Sequence, residues 1–403
     1  MSISSFRILS LSVAVFLATF LSVAVAEDDF STWLAGIRLE ARQLGISPTT
    51  LDAAFKDLKP IERVVELDHK QPEFTQTFWR YLDLRVTDSR IERGRRLLDL
   101  NHDLLSRVEK KYGVQAPFLV SFWGLETNFG DHLGGFPVIG ALATLAHDQR
   151  RSNFFKNELF AALSILDKKH VSLSELQGSW AGAMGQTQFM PSTFLRFAVD
   201  EDGDGRADIW QSLPDVFASS ANFLAKSGWR AGQGWGVEVA LPIDFNLELT
   251  GLQTRKTVRQ WRELGIRQLD AAHPTADETQ ASVILPAGFR GPAFLVFPNY
   301  RVILHWNRSD LYAVAVGHLA DRLQGQSPLL STRPKLEVPL SFNQVREMQA
   351  LLQLKGFQPG PADGVIGSET RSAIKAYQRS TDQPPDGYPT MELFRQLKER
   401  KKD

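Results

Sequence analysis

The spacing of apolar positions predicts a mainly α-helical chain with a small β element. Residues 27–115 carry apolar positions at helical spacing, charged faces and few turn signals. Residues 116–230 are rich in aromatic side chains and contain most of the unusual motifs. These patterns indicate an α+β fold in which helices dominate.

Two short segments later in the chain are predicted to be strands. They are Ala293–Phe297 and Tyr300–Leu304, separated by Pro298-Asn299, a favourable turn pair. A helix is predicted to follow, with Ser309 as its N-cap.

The last part of the chain is predicted to be a linker and a small helical module. Residues 324–339 have no periodicity and contain several proline, glycine and serine residues. Residues 340–403 then contain a weak repeat of two amphipathic helices, each followed by an Asp-Gly turn. The paired positions are Met348-Gln349 with Asp363-Gly364, and Tyr377-Gln378 with Asp386-Gly387. A duplicated helix–turn unit that packs on itself is the simplest interpretation.

The apolar helix predicted over residues 116–130 ends near a single carboxylate, Glu126. Pro117 suits the first turn of this helix and Gly130 suits its end. Phe122 shares a face with Glu126 because the two are four residues apart. A carboxylate against aromatic rings is desolvated, which raises its pKa and suits a general acid. The alternative is a carboxylate that points to water from the helix end.

Composition and charge bound the class of protein. The 403 residues suffice for two or three domains, and 46 basic residues balance 46 acidic ones. With zero net charge there is no strong basic field to attract nucleic acid. The absence of cysteine excludes disulfides, thiolate metal sites and a cysteine nucleophile.

The first 26 residues are predicted to be a cleaved secretory signal. Arg7 precedes an apolar run from Ile8 to Val25, and the segment ends in the small-residue pattern Ala24-Val25-Ala26. An uncleaved membrane anchor is the alternative. Cleavage predicts a mature protein without a membrane anchor, in the periplasm if the source is a Gram-negative bacterium.

A glycine-rich polar loop is predicted at residues 178–191. Small residues let the backbone approach a ligand closely. Ser179, Gln186 and Gln188 offer neutral donors and acceptors, which are typical of sugar-binding sites. A tight loop without a ligand fits the same pattern.

An acidic loop that starts at residue 200 resembles a calcium-binding loop. Carboxylates at positions 1, 3 and 5 with glycine at position 6 match the start of an EF-hand; they are Asp200, Asp202 and Asp204. Position 12 is Gln211, so Asp215, on a longer loop, is the nearest candidate for the closing ligand. We predict a structural calcium ion here, with a solvated acidic turn as the alternative.

Together these motifs resemble the membrane-bound lytic murein transglycosylase B family, in its soluble, secreted form. The resemblance covers roughly residues 30–322. It is carried by Gly-Leu-Glu-Thr-Asn-Phe-Gly at 124–130 and Ala-Gly-Ala-Met-Gly-Gln-Thr-Gln-Phe-Met-Pro at 181–191. The tail resembles the small helical peptidoglycan-binding module. This implies a lysozyme-like catalytic domain over 27–323 and a three-helix module over 340–403.

The resemblance also implies roles for particular residues. Glu126 matches the catalytic acid/base. The implied glycan-binding residues are Tyr81, Arg150, Arg151, Ser179, Gln186, Gln188, Trp306, Asn307 and Tyr312. The implied calcium ligands are Asp200, Asp202, Asp204, the Arg206 carbonyl and Asp215, with no cofactor for catalysis. This chain has Trp306 and Gln186 where the family member compared has tyrosine. Without the resemblance, the aromatic residues also fit a core and the arginine pair a solvated surface.

The implied reaction cleaves the bond between N-acetylmuramic acid and N-acetylglucosamine without water, and forms a 1,6-anhydro end. One carboxylate, Glu126, would act first as acid and then as base. A hydrolytic muramidase is an alternative, with Asp131 as the second carboxylate. A non-catalytic wall-binding scaffold and a calcium sensor are further alternatives. The predicted partners are peptidoglycan strands and other cell-wall enzymes, and the protein is predicted to be a monomer.

Overall fold

The computed structural model describes residues 29–70, 76–148, 152–270, 275–334 and 338–399. Along the chain the helices are α1 (residues 29–43), α2 (Pro48–Ala54), α3 (Glu62–Lys70), α4 (Phe78–Arg85), α5 (Asp88–Leu100), α6 (His102–Tyr112), α7 (Ala116–Thr127), α8 (Val138–His147), α9 (Ser152–Asp167), α10 (Pro191–Phe197), α11 (Leu213–Lys226), α12 (Val258–Glu263), α13 (Pro298–Trp306), α14 (Asp310–Leu323), α15 (Phe342–Leu354), α16 (Ser368–Ser380) and α17 (Met391–Lys398). The strands are β1 (Phe136–Pro137), β2 (Gln177–Gly178), β3 (Gly236–Ala240), β4 (Lys256–Thr257), β5 (Arg267–Gln268), β6 (Gln280–Ile284) and β7 (Ala293–Val296). The predicted mainly helical fold with a small β element is confirmed. The signal predicted over residues 1–26 lies outside the described residues.

The chain divides into two compact units. Among the described residues, the first comprises those up to Lys70 and those within Gly130–Ser219, and the second comprises those within Gln71–Phe129 and those from Ser220 onwards. In the first unit, α8 packs against α9, and the two-stranded sheet β1–β2 precedes the glycine-rich loop. In the part of the chain that the structure describes, no helix has the length and apolarity to cross a bilayer.

The second unit is built around helix α7. Its residues 118–125 are all buried, and such an all-round apolar sequence forms an interior helix. Helices α14, α5 and α6 pack against it. The Ser121 hydroxyl donates to the Val316 carbonyl at 2.7 Å, which joins α7 to α14 through a buried hydrogen bond. This contact fixes α7 relative to the helix that carries Tyr312.

An antiparallel sheet of five strands, in the order β4–β6–β7–β3–β5, completes the main part of the second unit. Its core contains the fully buried Trp261. The predicted strand over Ala293–Phe297 is confirmed by β7. The predicted strand over Tyr300–Leu304 is wrong, because this segment belongs to α13. Pro298 occupies the first helical turn, and the buried Tyr300 and Ile303 lie three residues apart on one helical face.

The C-terminal module consists of three helices, α15–α17, around their own apolar core. The predicted repeat is visible in its hydrogen bonds. In the first copy, the Gln349 amide donates to Asp363 Oδ1 at 3.0 Å and accepts the N–H of Gly364 at 2.8 Å. One buried glutamine therefore holds each Asp-Gly turn against its helix.

The second copy of the repeat has the same clamp and an additional contact. Gln378 donates to Asp386 Oδ1 at 2.7 Å and accepts the N–H of Gly387 at 2.9 Å. The second carboxylate oxygen of Asp386 accepts the N–H of Phe289, at 2.9 Å, from the loop between β6 and β7. The second Asp-Gly turn thus also contacts the loop between β6 and β7.

Lys375 and Arg379 of α16 strengthen this contact. The Lys375 ammonium donates to the carbonyl of Thr250 at 3.2 Å and to its hydroxyl at 2.9 Å. Arg379 pairs with Glu248 at 3.4 Å. We call these residues and Asp386 the module contact. It joins the three-helix module to the segment between β3 and β4 and to the loop between β6 and β7.

Candidate active site

Glu126 lies in the last turn of α7, as predicted, but the helix ends earlier than its glycine. The helix stops at Thr127, and Asn128 caps it in the left-handed conformation at a φ of 52°. The Asn128 N–H donates to the Gly124 carbonyl at 3.1 Å. Asparagine can adopt this conformation, so the prediction that Gly130 ends the helix was late by about a turn.

The turn after Glu126 folds back onto α7. The Phe129 ring packs so closely on Gly124 that a Cβ atom at position 124 would lie 2.7 Å from it. The same ring meets Trp123 edge-on, with the two ring centroids 5.5 Å apart. Glycine at 124 is therefore required for the close approach that holds this helix end in place.

Two aromatic donors converge on one oxygen of Glu126. The indole N–H of Trp306 donates to Oε1 at 2.8 Å, and the Tyr312 hydroxyl donates to the same atom. Trp306 ends α13, and Tyr312 lies in the first turn of α14. The Phe122 ring packs against both aromatic rings, with its centroid 4.5 Å from that of Trp306 and 6.3 Å from that of Tyr312. The structure therefore brings together the predicted residues Glu126, Trp306 and Tyr312.

The Tyr312 phenol stays protonated at this site. Burial, and then the negative charge of Glu126, raise the pKa of Tyr312 well above its ordinary value, while Arg85 acts weakly in the opposite direction. Tyr81 also contributes to this rise, which places it within electrostatic reach. The guanidinium carbon of Arg85 lies 5.5 Å from the centre of the Tyr81 ring. Tyr312 therefore keeps its proton and can donate a hydrogen bond to the Glu126 carboxylate.

Asn307 shapes the turn between α13 and α14. It is exposed, and its side-chain oxygen accepts the N–H of Ser309 at 3.1 Å. Ser309 then caps α14 by accepting the N–H of Tyr312, which confirms the predicted cap. The contact of Asn307 with glycan stays a prediction. Arg150 and Arg151 lie outside the described residues.

Ser179 stabilises the glycine-rich loop of the first unit. Its hydroxyl oxygen accepts the N–H of Ala183 at 3.0 Å and that of Ala181 at 3.3 Å. At Gly185, φ is 63° and a Cβ atom would lie 2.8 Å from the Ile209 carbonyl oxygen. Backbone geometry thus requires glycine at position 185, and Ser179 holds the first part of the loop through its hydroxyl.

The two predicted glutamines also contact backbone carbonyls. The Gln188 amide nitrogen donates to Leu133 at 3.1 Å and to Gly185 at 3.0 Å. Gln186 is buried, with its amide nitrogen 2.8 Å from the Trp210 carbonyl. These contacts give both side chains a role in holding the loop. Their contact with sugar stays a prediction.

The acidic loop is organised by its own backbone. The Asp200 carboxylate accepts the N–H groups of Gly203 at 2.7 Å, Asp204 at 3.2 Å and Gly205 at 2.9 Å. Asp202 and Asp204 are exposed like Asp200, and one oxygen from each of the three lies within 4.8 Å of the others. Clustered carboxylate oxygens are the ligands that a hard cation prefers, so these residues fit calcium.

Asp215 holds the acidic loop closed through hydrogen bonds to its backbone. It is fully buried, and its two oxygens accept the N–H groups of Glu201 and Asp208, each at 2.7 Å. Burial raises its pKa despite these hydrogen bonds. Asp215 therefore ties the two ends of the loop together, and its place as a calcium ligand stays a prediction, as does that of the Arg206 carbonyl.

Sequence reasoning missed two residues beside Glu126 and its donors. Arg85 lies four residues after Tyr81 on α4, so helical spacing could have found it. Phe223 packs on Trp306 with ring centroids 5.0 Å apart. No local signal marks Phe223, because its partner is far away in the sequence.

Two family models match the chain. A transglycosylase SLT domain model matches residues 29–321, and a peptidoglycan binding domain model matches residues 342–397. Membrane-bound lytic murein transglycosylase B of Escherichia coli is 32% identical over 254 residues, which are 62% of this chain and 68% of that protein. With the mainly helical fold, these matches define the class of the protein as an enzyme that acts on the glycan of the cell wall.

Two solved structures illustrate the likeness. SltB3 from Pseudomonas aeruginosa, in complex with NAG-anhNAM-pentapeptide, has 45% sequence identity and a TM-score of 0.88, covering 92% of this chain and 99% of that chain. The Escherichia coli lytic transglycosylase Slt35 in complex with calcium has 27% identity and a TM-score of 0.63, covering 74% of this chain and 93% of that one. The chain belongs to the lytic transglycosylase family with the SLT domain, and it is an enzyme that acts on peptidoglycan.

Proposed function

We propose that this enzyme cleaves the β-1,4 bond between N-acetylmuramic acid and N-acetylglucosamine without water and leaves 1,6-anhydro-N-acetylmuramic acid ends. The observation that carries the proposal is the pair of donors on Glu126 Oε1 at the end of a buried helix. They position one carboxyl group in a largely apolar setting, as a proton-transferring group requires. Family membership supports the choice of substrate.

The proposed reaction uses Glu126 twice. Protonated Glu126 gives its proton to the glycosidic oxygen as the C1–O bond breaks, and the N-acetylglucosamine hydroxyl leaves. Ionised Glu126 then takes the proton of the muramic C6 hydroxyl while that oxygen bonds to C1. The carboxyl ends in its starting state, and no water is consumed. The N-acetyl oxygen of the substrate stabilises C1 between the two steps.

The residues proposed to bind glycan are Tyr81, Arg150, Arg151, Ser179, Gln186, Gln188, Trp306, Asn307 and Tyr312. Calcium is proposed at Asp200, Asp202 and Asp204, with the Arg206 carbonyl and Asp215. It would stiffen the acidic loop and take no part in proton transfer. The calcium complex of the Escherichia coli neighbour supports this assignment.

We further propose that the protein is periplasmic. Residues 1–26 would be a cleaved signal, 27–323 the catalytic domain, 324–339 a linker and 340–403 the wall-binding module. The two family models, at 29–321 and 342–397, support the last three boundaries. Peptidoglycan strands are the proposed partner, other cell-wall enzymes are candidates, and the protein acts as a monomer.

The mass of the product tests the reaction type. Digestion of purified sacculi followed by mass spectrometry is expected to give muropeptides with anhydro ends, lighter by one water than reducing ends. Reducing ends instead would favour the hydrolytic muramidase, for which the exposed Asp131 is the candidate second carboxylate. If no muropeptide is released, the result would favour the alternative of a non-catalytic scaffold that binds the cell wall.

A further inference from the structure

The donors to Glu126 Oε1 differ in what they can do. The Tyr312 hydroxyl can rotate, so it can donate a hydrogen bond or accept one. The Trp306 indole N–H can only donate. Its 2.8 Å contact is strongest when Oε1 is a carbonyl or carboxylate oxygen, because the hydroxyl oxygen of a protonated carboxyl group is a weaker acceptor. This difference bears on which oxygen of Glu126 holds the transferable proton.

The position of the Trp306 indole is fixed by packing. Its ring lies between Phe122, at a centroid distance of 4.5 Å, and Phe223, at 5.0 Å. Trp306 is also the last residue of α13, and the following turn is closed by the hydrogen bond from Ser309 to Asn307. The indole cannot rotate away without losing these contacts, so its N–H direction is set before substrate binds.

We propose that Trp306 is a positioning residue which keeps Oε1 of Glu126 as an acceptor and so assigns the transferable proton to Oε2. Oε2 would then give the proton to the glycosidic oxygen and later receive the proton of the C6 hydroxyl. Oε1 stays bonded to Trp306 and Tyr312 throughout. This inference rests on the proposed function and adds to the predicted stacking role of Trp306 a role in proton placement.

Several charged and titratable groups surround this site. Tyr81 and Arg85 on α4 act on Tyr312 of α14. On α5, Arg90 Nη2 lies 3.4 Å from Asn128 Oδ1, just beyond the helix that carries Glu126. His305, which precedes Trp306 on α13, is exposed. A pH experiment on Trp306 therefore includes a variant at His305, because this residue is its immediate neighbour in the chain.

The test is the pH dependence of cleavage of a soluble peptidoglycan oligomer. Trp306→Phe keeps an aromatic ring and removes the N–H donor. Losing a donor to a carboxylate makes its charged form less stable, so the alkaline limb of the kcat profile is expected to move up by about one pH unit. We expect kcat to fall roughly tenfold, with KM changed less than about twofold. If Trp306 only stacks on sugar, KM rises and the limb stays in place.

A second variant guards against altered packing. Trp306→benzothienylalanine replaces the N–H by sulfur and keeps the bicyclic shape, and it should move the limb as Trp306→Phe does. His305→Gln removes the neighbouring imidazole and keeps both the indole donor and its packing. This control should leave the limb at its wild-type pH. An unmoved limb in both Trp306 variants would overturn the proposal.

Product mass in the same digests separates this inference from the proposed function. A shifted limb with anhydro products supports both. A shifted limb with reducing products would keep the role of Trp306 and refute the non-hydrolytic reaction. An unshifted limb with anhydro products would refute the role of Trp306 alone.

Discussion

The Glu126 site and the acidic loop both collect polar groups around carboxylates, but they recruit them from different distances in the chain. The donors to Glu126 come from 180 and 186 residues away. The donors to Asp200 come from residues three to five positions later. Local sequence can therefore build the acidic loop, whereas the Glu126 site requires the packing of α7 against α13 and α14. The two regions should respond differently to mutation, to pH and to calcium.

The largest expected effect is a loss of activity at the Glu126 site, which depends on contacts between distant residues. Glu126→Gln removes the only proton-transferring group proposed, so muropeptide release should fall about 10²–10⁴-fold or more. The fold should remain, because glutamine keeps the size of the side chain and can still accept from Trp306. Melting temperature and circular dichroism check this. Glu92→Gln, an exposed carboxylate on α5, is the charge-matched control. Substantial turnover by Glu126→Gln would contradict the assignment.

Acid should weaken the second unit through His318, which lies on α14 with Tyr312. Burial lowers the pKa of His318 from 6.5 to about 4. Between these values His318 binds more protons in the unfolded chain than in the native one, so its contribution to stability falls as pH drops from 6.5 towards 4, by about 3 kcal/mol at most. His318→Gln should remove this contribution, as measured by urea unfolding.

Asp321, three residues later on α14, gives the opposite sign. Burial raises its pKa from 3.8 to about 7, although Trp235 donates a hydrogen bond to it at 2.8 Å. Here the native state binds more protons, so this group loses its contribution as pH rises through 7. Because the two contributions oppose each other between pH 4 and 6.5, Asp321→Asn should lose stability on acidification, whereas His318→Gln should gain stability. Equal slopes in the two variants would contradict both assignments.

Calcium should raise the melting temperature by binding the acidic loop, which is built from residues close together in the sequence. The wild-type melting temperature is expected to rise by a few degrees in millimolar calcium, because an ion that binds only the native state stabilises it. Asp200→Asn should abolish the rise. Glu201→Gln removes one charge from the same loop at a position outside the ligand pattern, and it should keep most of the rise. No calcium response in the wild type would refute the site.

The smallest effect is expected at the module contact, which like the Glu126 site depends on distant residues. Lys375→Met removes the hydrogen bonds to Thr250, at a cost of about 1 kcal/mol. Hydrogen exchange at residues 247–250 should become faster. Lys398→Met, which breaks an exposed ion pair with Glu347 inside the module, should leave those amides unchanged. Equal protection in both variants would show that the contact contributes nothing.

Much of the local structure could be predicted because short-range rules decide it. Proline in the first turn and the apolar run predicted α7, and the cap at Ser309 was recognised for the same reason. The segment 300–304 was misread as a strand because a short run rich in aromatic and β-branched residues fits a buried strand and a buried helix equally well. The proline before it starts a helix, and burial of Tyr300 and Ile303 keeps it helical.

The sequence by itself determined the helical character of the chain, the acidic loop, the duplicated helix and Asp-Gly turn, and the residue Glu126 as the candidate acid. Each depends on neighbours within about one or two turns, or on a motif that is itself contiguous. Only the tertiary structure decided that Trp306 and Tyr312 donate to the same oxygen of Glu126, and that Lys375 holds the module on the main domain. Those contacts join residues more than 100 positions apart, and their geometry depends on how whole helices pack.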